Sequence, residues 1–277
     1  MKNKNKLKCF LSDKKCSFPF KGKNIKFAFK FNKLTYLKCE TCMLSFQTIL
    51  QDDIKKVNEK VAKFYNRKYF YKTYKENNLM FFKRRTQYKI DKKYLVKNFD
   101  DSANKKILDY GCGNGEFLTY FKSKKYGYEF NKEADKKSKV KYLNYNEISK
   151  FKYDAIIMRG VIEHVPEFYK VLKLLFRCLK KGGIFFITAT PNNLCLPYFI
   201  KAKNFHLNNP RHIYHFNHIN LGSFFLKNNF LNVQVVFQYN ETPYKDYNSN
   251  FSNLRKKNKS TEAHPGNMMT LSFKKMK

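Results

Sequence analysis

Apolar and polar positions alternate in blocks along the middle of this 277-residue chain. Ile107 and Leu108 close an apolar run that follows the polar Ser102 to Lys106, which predicts a buried strand over 106–110. Gly111, Gly113 and Gly115 follow at two-residue spacing, and 115–122 reads as the first turns of a helix. Tyr126 to Phe130 predicts a second strand, the polar 131–138 a helix, and Val140 to Tyr142 a weak third strand. Tyr153 to Met158 is the clearest strand. Val171, Leu172, Leu175 and Leu179 then lie on one side of a helix over 168–179, which Lys181-Gly-Gly183 is expected to stop. Ile184 to Thr188 gives a fifth strand. A helix over 219–228 and strands over 231–239 and 268–273 follow, the last two suited to an antiparallel edge. The alternation specifies an α/β protein with a doubly wound, seven-stranded, mostly parallel sheet.

Upstream, Ile54, Val57, Val61 and Phe64 have helical spacing within 52–75, and Tyr65, Tyr69, Phe70, Tyr71 and Tyr74 form an aromatic cluster. That stretch is either core packing or a lid. A second helix is expected over 84–98. Residues 194–218 fit no regular unit and are rich in aromatics and histidine, as expected of an acceptor-binding insertion above a sheet edge. Residues 244–264 read as a polar, basic loop. The expected organisation is a small cysteine-rich ribbon-like module over 1–50, a helical linker or lid over 51–103, and the main domain over 104–277.

Composition sharpens this picture. Hydrophobic residues make up 43%, with 29 Phe and 20 Tyr, which excludes a disordered chain. Polar residues interrupt every stretch before the roughly 18 apolar residues of a membrane span. Met1 to Lys8 is basic, but Asp13, Lys14 and Lys15 break any apolar run of signal-peptide length, so the chain is read as cytoplasmic. There are 57 Lys and Arg against 21 Asp and Glu, a formal charge of +36. A polyanion partner such as nucleic acid would use that charge. The lysines are spread over the whole length instead of being gathered in one arm, so a nucleic-acid partner is admitted but not favoured.

Four of the seven cysteines fall early, at Cys9, Cys16, Cys39 and Cys42. Cys39-Glu-Thr-Cys42 has zinc-knuckle spacing, and two cysteine pairs flanking a short sheet is the plan of a four-thiolate structural zinc site. Six residues separate Cys9 from Cys16, and Ser12 stands where a closer partner would be. Zinc on a stretched first knuckle, a degenerate ribbon without metal, and thiols without a role all remain open.

The glycine loop carries the chemistry. A strand turning sharply into a helix leaves backbone N–H groups facing the crevice above the sheet. The spacing G-x-G-x-G differs from the pyrophosphate fingerprint G-x-G-x-x-G, and Asp109 stands two residues before the first glycine. An acidic group there suits a cofactor that bears an ammonium. The segment Leu108-Asp-Tyr-Gly-Cys-Gly-Asn-Gly-Glu-Phe-Leu118 resembles motif I of the class I S-adenosylmethionine-dependent methyltransferases, whose fold is Rossmann-like. Tyr126 to Glu129, Phe151 to Val165 with its Glu163-His164 pair, and Leu179 to Ile187 are similar to later motifs of that superfamily in order and spacing. Thr190-Pro-Asn192 and Pro210-Arg-His-Ile-Tyr-His-Phe216 look like the branch in which a cysteine-rich N-terminal segment precedes the methyltransferase domain. Members of that branch tailor sugars, surface glycans, quinones or secondary metabolites.

The resemblance implies that Asp109 holds the methionine ammonium and that the loop Gly111, Cys112, Gly113 and Gly115 packs against the methionyl part. Glu129 would take the ribose hydroxyls, residues 142–145 would flank the adenine, and Met158, Arg159 and Gly160 would line the methionine end. His164 and His212 are candidate general bases for a hydroxyl acceptor, each with a purely structural alternative, and Arg211 could bind an acceptor phosphate or carboxylate. His206, His212, His215 and His218 offer imidazoles for a metal, but no acidic residue lies among them in sequence. The expected activity is O-methylation of a small molecule or saccharide. The alternatives are an RNA or protein methyltransferase and an inactive cofactor-binding paralogue. Arg159-Gly-Val-Ile-Glu-His164 lacks the Asn/Asp-Pro-Pro-aromatic loop common in base-amine enzymes.

Overall fold

A computed structural model describes residues 25–31, 34–51, 53–66, 68–69, 79–131, 137, 139–199, 209–254 and 263–276. The main sheet has seven strands. They are β4 (Lys106–Tyr110), β5 (Lys124–Tyr128), β6 (Lys141–Tyr142), β7 (Tyr153–Arg159), β8 (Leu179–Pro191), β10 (Phe230–Val236) and β11 (Met268–Lys275). Their spatial order is β10-β11-β8-β7-β4-β5-β6. β11 runs antiparallel to both β8 and β10, and the remaining neighbours are parallel. The central strands β4, β7 and β8 are buried on both faces, which is why they read as nearly continuous apolar runs. Leu108, Ile156 and Phe185 fill one face, and Ile107, Ala155, Ile157 and Phe186 fill the other.

Helix α3 (Phe168–Cys178) buries Phe168, Val171, Leu172, Leu175 and Phe176 on the first face. After the single turn α4 (Leu196–Phe199), α5 (His218–Lys227) adds Leu221, Phe224 and Phe225, and the Phe225 ring stacks on Phe273. The second face is covered by α2 (Leu79–Val96) through Tyr88, Tyr94 and Leu95. Among the described residues, no helix is long and apolar enough to cross a membrane.

Several local expectations are corrected. The helix expected over 115–122 is a single 3-10 turn, Phe117–Tyr120. Asp101 explains its shortness. It accepts from the N–H groups of Lys122 and Ser123 and from the Ser123 hydroxyl, and draws the chain straight into β5. Lys181-Gly-Gly183 does not end a helix. α3 stops at Cys178, and β8 already pairs with β7 at Leu179 opposite Tyr153 before resuming at Ile184 opposite Ala155. The intervening residues bulge out, and a Cβ at Gly183 would lie 2.9 Å from the Asp154 carbonyl oxygen. Within the helix placed over 52–75 the structure describes α1 (Ile54–Phe64), started by Asp53, whose carboxylate accepts from the Lys55 and Lys56 N–H groups; residues 52, 67 and 70–75 lie outside the described residues. Of its expected apolar stripe only Val57 is fully buried. The loop over 244–264 contains α6 (Tyr247–Leu254). Most of the helix placed over 131–138 lies outside the described residues.

The expected separate cysteine-rich module is not seen among the described residues. β1 (Ile25–Phe31), β2 (Leu34–Cys39) and β3 (Ser45–Gln47) form an antiparallel sheet completed by β9 (Tyr214–His215) from the far end of the sequence. Gln47 ties the two segments together. Its backbone N–H donates to the Ile213 carbonyl at 2.8 Å. Its side-chain amide donates to the Tyr36 hydroxyl and to the carbonyls of Pro210 and His212 at 2.9–3.0 Å. Asn193 clamps the same joint, donating to Met43 and His215 carbonyls. Gln47→Leu leaves buried carbonyls short of donors and should cost about 2 kcal/mol. A thermal unfolding midpoint equal to wild type would show that the amide does not hold this joint.

Candidate active site

The carboxyl ends of β4, β5 and β7 lie side by side at one edge of the sheet. Gly111 and Cys112 both donate their N–H groups to the Tyr128 carbonyl, which folds the loop after β4 against the end of β5. The loop needs glycine for conformation and for space. Gly111, Gly113 and Gly115 have φ of 84°, 55° and 77°, a region that L side chains avoid. A Cβ at Gly111 would sit 2.5 Å from Val161, and one at Gly115 would sit 2.3 Å from the Tyr142 hydroxyl. Gly127 on β5 is a requirement that sequence reasoning missed, since a Cβ there would lie 2.7 Å from the Cys112 sulfur. Only the fold shows that the two residues face each other.

Asp109 ends β4 with 2% of its surface exposed, and its Oδ1 is buried without a hydrogen-bond partner. Burial drives its pKa up to about 7, against the opposing pull of Arg159 and with a further push from Glu129. A buried carboxyl without a partner is costly, and a cationic ligand offsets that cost. Glu129 stands just past β5 and accepts from the N–H groups of Gly113 (2.8 Å) and Asn131 (3.0 Å). Burial raises its pKa, offset by those N–H groups. Tyr142 donates its hydroxyl to the Asn114 carbonyl, so it packs beneath the glycine loop. Tyr145 is exposed beside Tyr128.

Met158 is fully buried in the core cluster with Leu108 and Ile187. Arg159 is bound at 2.8 Å to the wholly buried Asp91 of α2 and lies over the Tyr88 ring. Asp91 also accepts from Gln87 and Thr188. No sequence signal marked Asp91, because its partner lies 68 residues away.

Beyond β7 the chain turns through Gly160 (φ 60°) into a 3-10 turn, Ile162–His164. Here the structure brings together both candidate bases. The His164 Nδ1 is 2.8 Å from the Arg211 carbonyl, so Nδ1 carries the proton and Nε2 keeps its lone pair. The two imidazole rings meet edge to face at 4.6 Å. Glu163 lies beside them, its Oε1 3.8 Å from His164 Nε2, and Thr190 donates to its other oxygen. Burial pushes Glu163 up to about 8 and lowers His164 to about 4, so both are predominantly uncharged at neutral pH. His164 keeps 14% of its side-chain surface exposed.

The 209–217 segment supplies the other wall. Asn209 Oδ1 accepts from the Arg211 N–H and Nε, which turns its amide nitrogen toward His212 Nε2 at 3.1 Å. The Arg211 guanidinium lies over the rings of Tyr69 (4.9 Å) and Tyr65 (5.7 Å), and Tyr65 meets His164 edge to face. Tyr65 and Tyr69 therefore stand beside Arg211 and His164, while Phe70, Tyr71 and Tyr74 lie outside the described residues.

The described histidines of the insertion do not converge. His215 stacks on Tyr36, and His218 meets Phe237; His206 lies outside the described residues. The acidic neighbour that the sequence lacked comes from the β7 loop instead. One ligand atom each from Glu163, His164 and His212 lies within 4.8 Å of the others, a set of donors that a divalent cation accepts. Cys39 and Cys42 occupy the knuckle after β2, where Met43 N–H closes onto the Cys39 carbonyl at 2.8 Å. Cys9 and Cys16 lie outside the described residues.

This sheet order, with a glycine loop and two carboxylates at the carboxyl ends of β4 and β5, defines a class I methyltransferase fold. Residues 82–235 match the family described as a methyltransferase domain, and the chain belongs to that family. No curated protein matches it. Among solved structures, a S-adenosylmethionine-dependent methyltransferase from Archaeoglobus fulgidus is similar at a TM-score of 0.52 and 19% identity, over 75% of this chain and 99% of that one. The YcgJ protein of Bacillus subtilis is similar at 0.49 and 15% identity, over 68% and 99%. At these identities the likeness is one of fold. Family membership makes S-adenosylmethionine the implied methyl donor, and the unpartnered Asp109 and the strained glycine loop fit it.

Proposed function

We propose that this protein methylates a hydroxyl group of a small molecule or saccharide. The observation that carries the reading is the bare Nε2 of His164, neutral and fixed in tautomer by the Arg211 carbonyl, on the loop that leaves β7. S-adenosylmethionine, when bound, supplies a methyl group already activated by its sulfonium. The protein's own work is alignment and exclusion of water. Asp109 and Glu129 would hold the donor's ammonium and ribose, with Gly111, Cys112, Gly113 and Gly115 as the cradle. Met158 would contribute packing, and Arg159 a fixed positive charge near Asp109. His164 Nε2 would take the hydroxyl proton. His212, edge-on to His164 and fastened by Asn209, would keep that ring in place.

The cysteine knuckle belongs to the same reading. Cys39 and Cys42, with Cys9 and Cys16, would hold a structural zinc ion that stiffens residues 34–47 against the 209–217 wall. The division into an N-terminal cysteine-rich part, a helical lid and a methyltransferase domain, and a cytoplasmic location, are proposed with it.

Incubation with methyl-labelled S-adenosylmethionine and fractionated extracts tests the acceptor class. Label should enter the small-molecule or glycan fraction. His164→Ala should lower kcat by about 10²-fold or more while binding of S-adenosylhomocysteine is retained. Label found only in RNA or protein would overturn the reading.

A further inference from the structure

We infer that the acceptor carries an oxyanion, a carboxylate or phosphate, bound by the Arg211 guanidinium. This rests on the methyl-transfer reading above and narrows its substrate class to acidic or phosphorylated molecules.

The argument begins with how Arg211 is held. Its backbone N–H and its Nε both donate to Asn209 Oδ1, at 3.1 and 3.0 Å. The guanidinium plane is covered by Tyr65 and Tyr69. These contacts fix the side chain yet use only one edge of it. The two terminal nitrogens have no hydrogen bond and no carboxylate partner among the described residues. A guanidinium is most stable when that fork meets a carboxylate or phosphate. The contrast with Arg159 is direct, since that arginine is already paired with Asp91 at 2.8 Å.

The surroundings do not supply the missing charge. Glu163 is the carboxyl beside the two histidines, and its oxygens face His164 Nε2 and the Thr190 hydroxyl. Asp109 and Glu129 line the donor side of the crevice. Arg211 also ties recognition to chemistry. Its carbonyl receives the His164 Nδ1 proton, so the group that would read the oxyanion and the group that orients the base belong to one residue. A molecule anchored on the fork therefore presents its hydroxyl at a fixed place relative to His164 Nε2. The formal charge of +36 also favours encounter with anions over neutral molecules.

The test is calorimetric titration of the full chain, saturated with S-adenosylhomocysteine, using four probes: glucose, glucuronate, glucose 1-phosphate and inorganic phosphate. Either or both anionic sugars should bind at least about tenfold more tightly than glucose, and added salt should reduce the difference. The stronger of glucuronate and glucose 1-phosphate identifies carboxylate or phosphate as the group read. Arg211→Gln should abolish the preference and leave S-adenosylhomocysteine affinity within about twofold, because the fork does not touch the donor side. Arg211→Lys should restore part of it, since the charge returns without the planar fork. Equal binding of glucose and both anionic sugars, no binding of any anion, or a preference that survives in Arg211→Gln would each overturn the inference. Wild-type protein that does not bind S-adenosylhomocysteine would count against the methyl-transfer reading itself, so the two failures are distinguishable.

Discussion

Asp109→Ala should lower the affinity for S-adenosylhomocysteine by about 10²-fold or more and leave the folded protein at least as stable. Loss of a buried charged partner costs about 2–4 kcal/mol of binding, and 1.4 kcal/mol is a factor of ten. In the empty protein the same carboxyl is a burden, because Oδ1 is buried without a partner. The variant should therefore separate binding from stability in opposite directions. The pH dependence follows from the sign of the shift. Below about 7 the ligand-free Asp109 carries its proton. An ammonium-bearing ligand binds the ionised form better, so affinity should fall as pH drops through 7, by up to about tenfold per unit, and level off above it. Asp109→Asn should flatten that slope. Calorimetry between pH 5.5 and 8.5 measures it, and a slope retained in the asparagine variant would assign the titration to another group.

Asp91→Ala should lower stability by about 3–5 kcal/mol, the cost of leaving a buried charge without its partner. Arg159, at 18% side-chain exposure, would lose the carboxylate 2.8 Å away. Gln87 and Thr188 would lose the acceptor they share. The damage reaches further, because Thr188 also bonds Thr270, and Gln238 bonds Thr270 in turn. α2, β8 and β11 meet at this one network. For a chain of this size the melting midpoint should drop by about 10 °C. Removing both charges, in Asp91→Ala with Arg159→Met, should recover a large part of the loss, as buried ion pairs often exchange for apolar packing at little cost. A double variant as unstable as the single one would assign the loss to the hydrogen bonds that Gln87 and Thr188 make with Asp91, and not to the unpaired Arg159 charge.

Much of the fold was legible because it depends on local pattern. Ile107-Leu108, Ile156-Ile157 and Phe185-Phe186 each place one side chain on either face of the sheet, so a doubly covered parallel sheet writes itself as unbroken apolar runs. The 3.6-residue spacing of Val171, Leu172 and Leu175 placed α3, and glycines at positive φ announced the loop after β4. Asp109, Glu129, His164 and His212 were legible as candidates because loop chemistry needs particular residue types at particular distances from a strand end. Element ends were read less well. The 3-10 turn at 117–120 and the bulge at 180–183 were set by Asp101 and by pairing with Tyr153, contacts distant in sequence.

What the sequence determined by itself is the order of strands and helices and the identity of the glycine loop, since both follow from side-chain period and backbone sterics. What only the tertiary structure decided is which distant residues meet. It put His212 beside the Glu163-His164 pair, Asp91 against Arg159, Gln47 under the His212 carbonyl, and Tyr65 and Tyr69 over Arg211. Hydrogen bonds and charge pairs act over about 3 Å of space, whatever the distance along the chain. Their partners carry no spacing signal, and they come together only when the sheet has set its order and the insertion has folded back upon it.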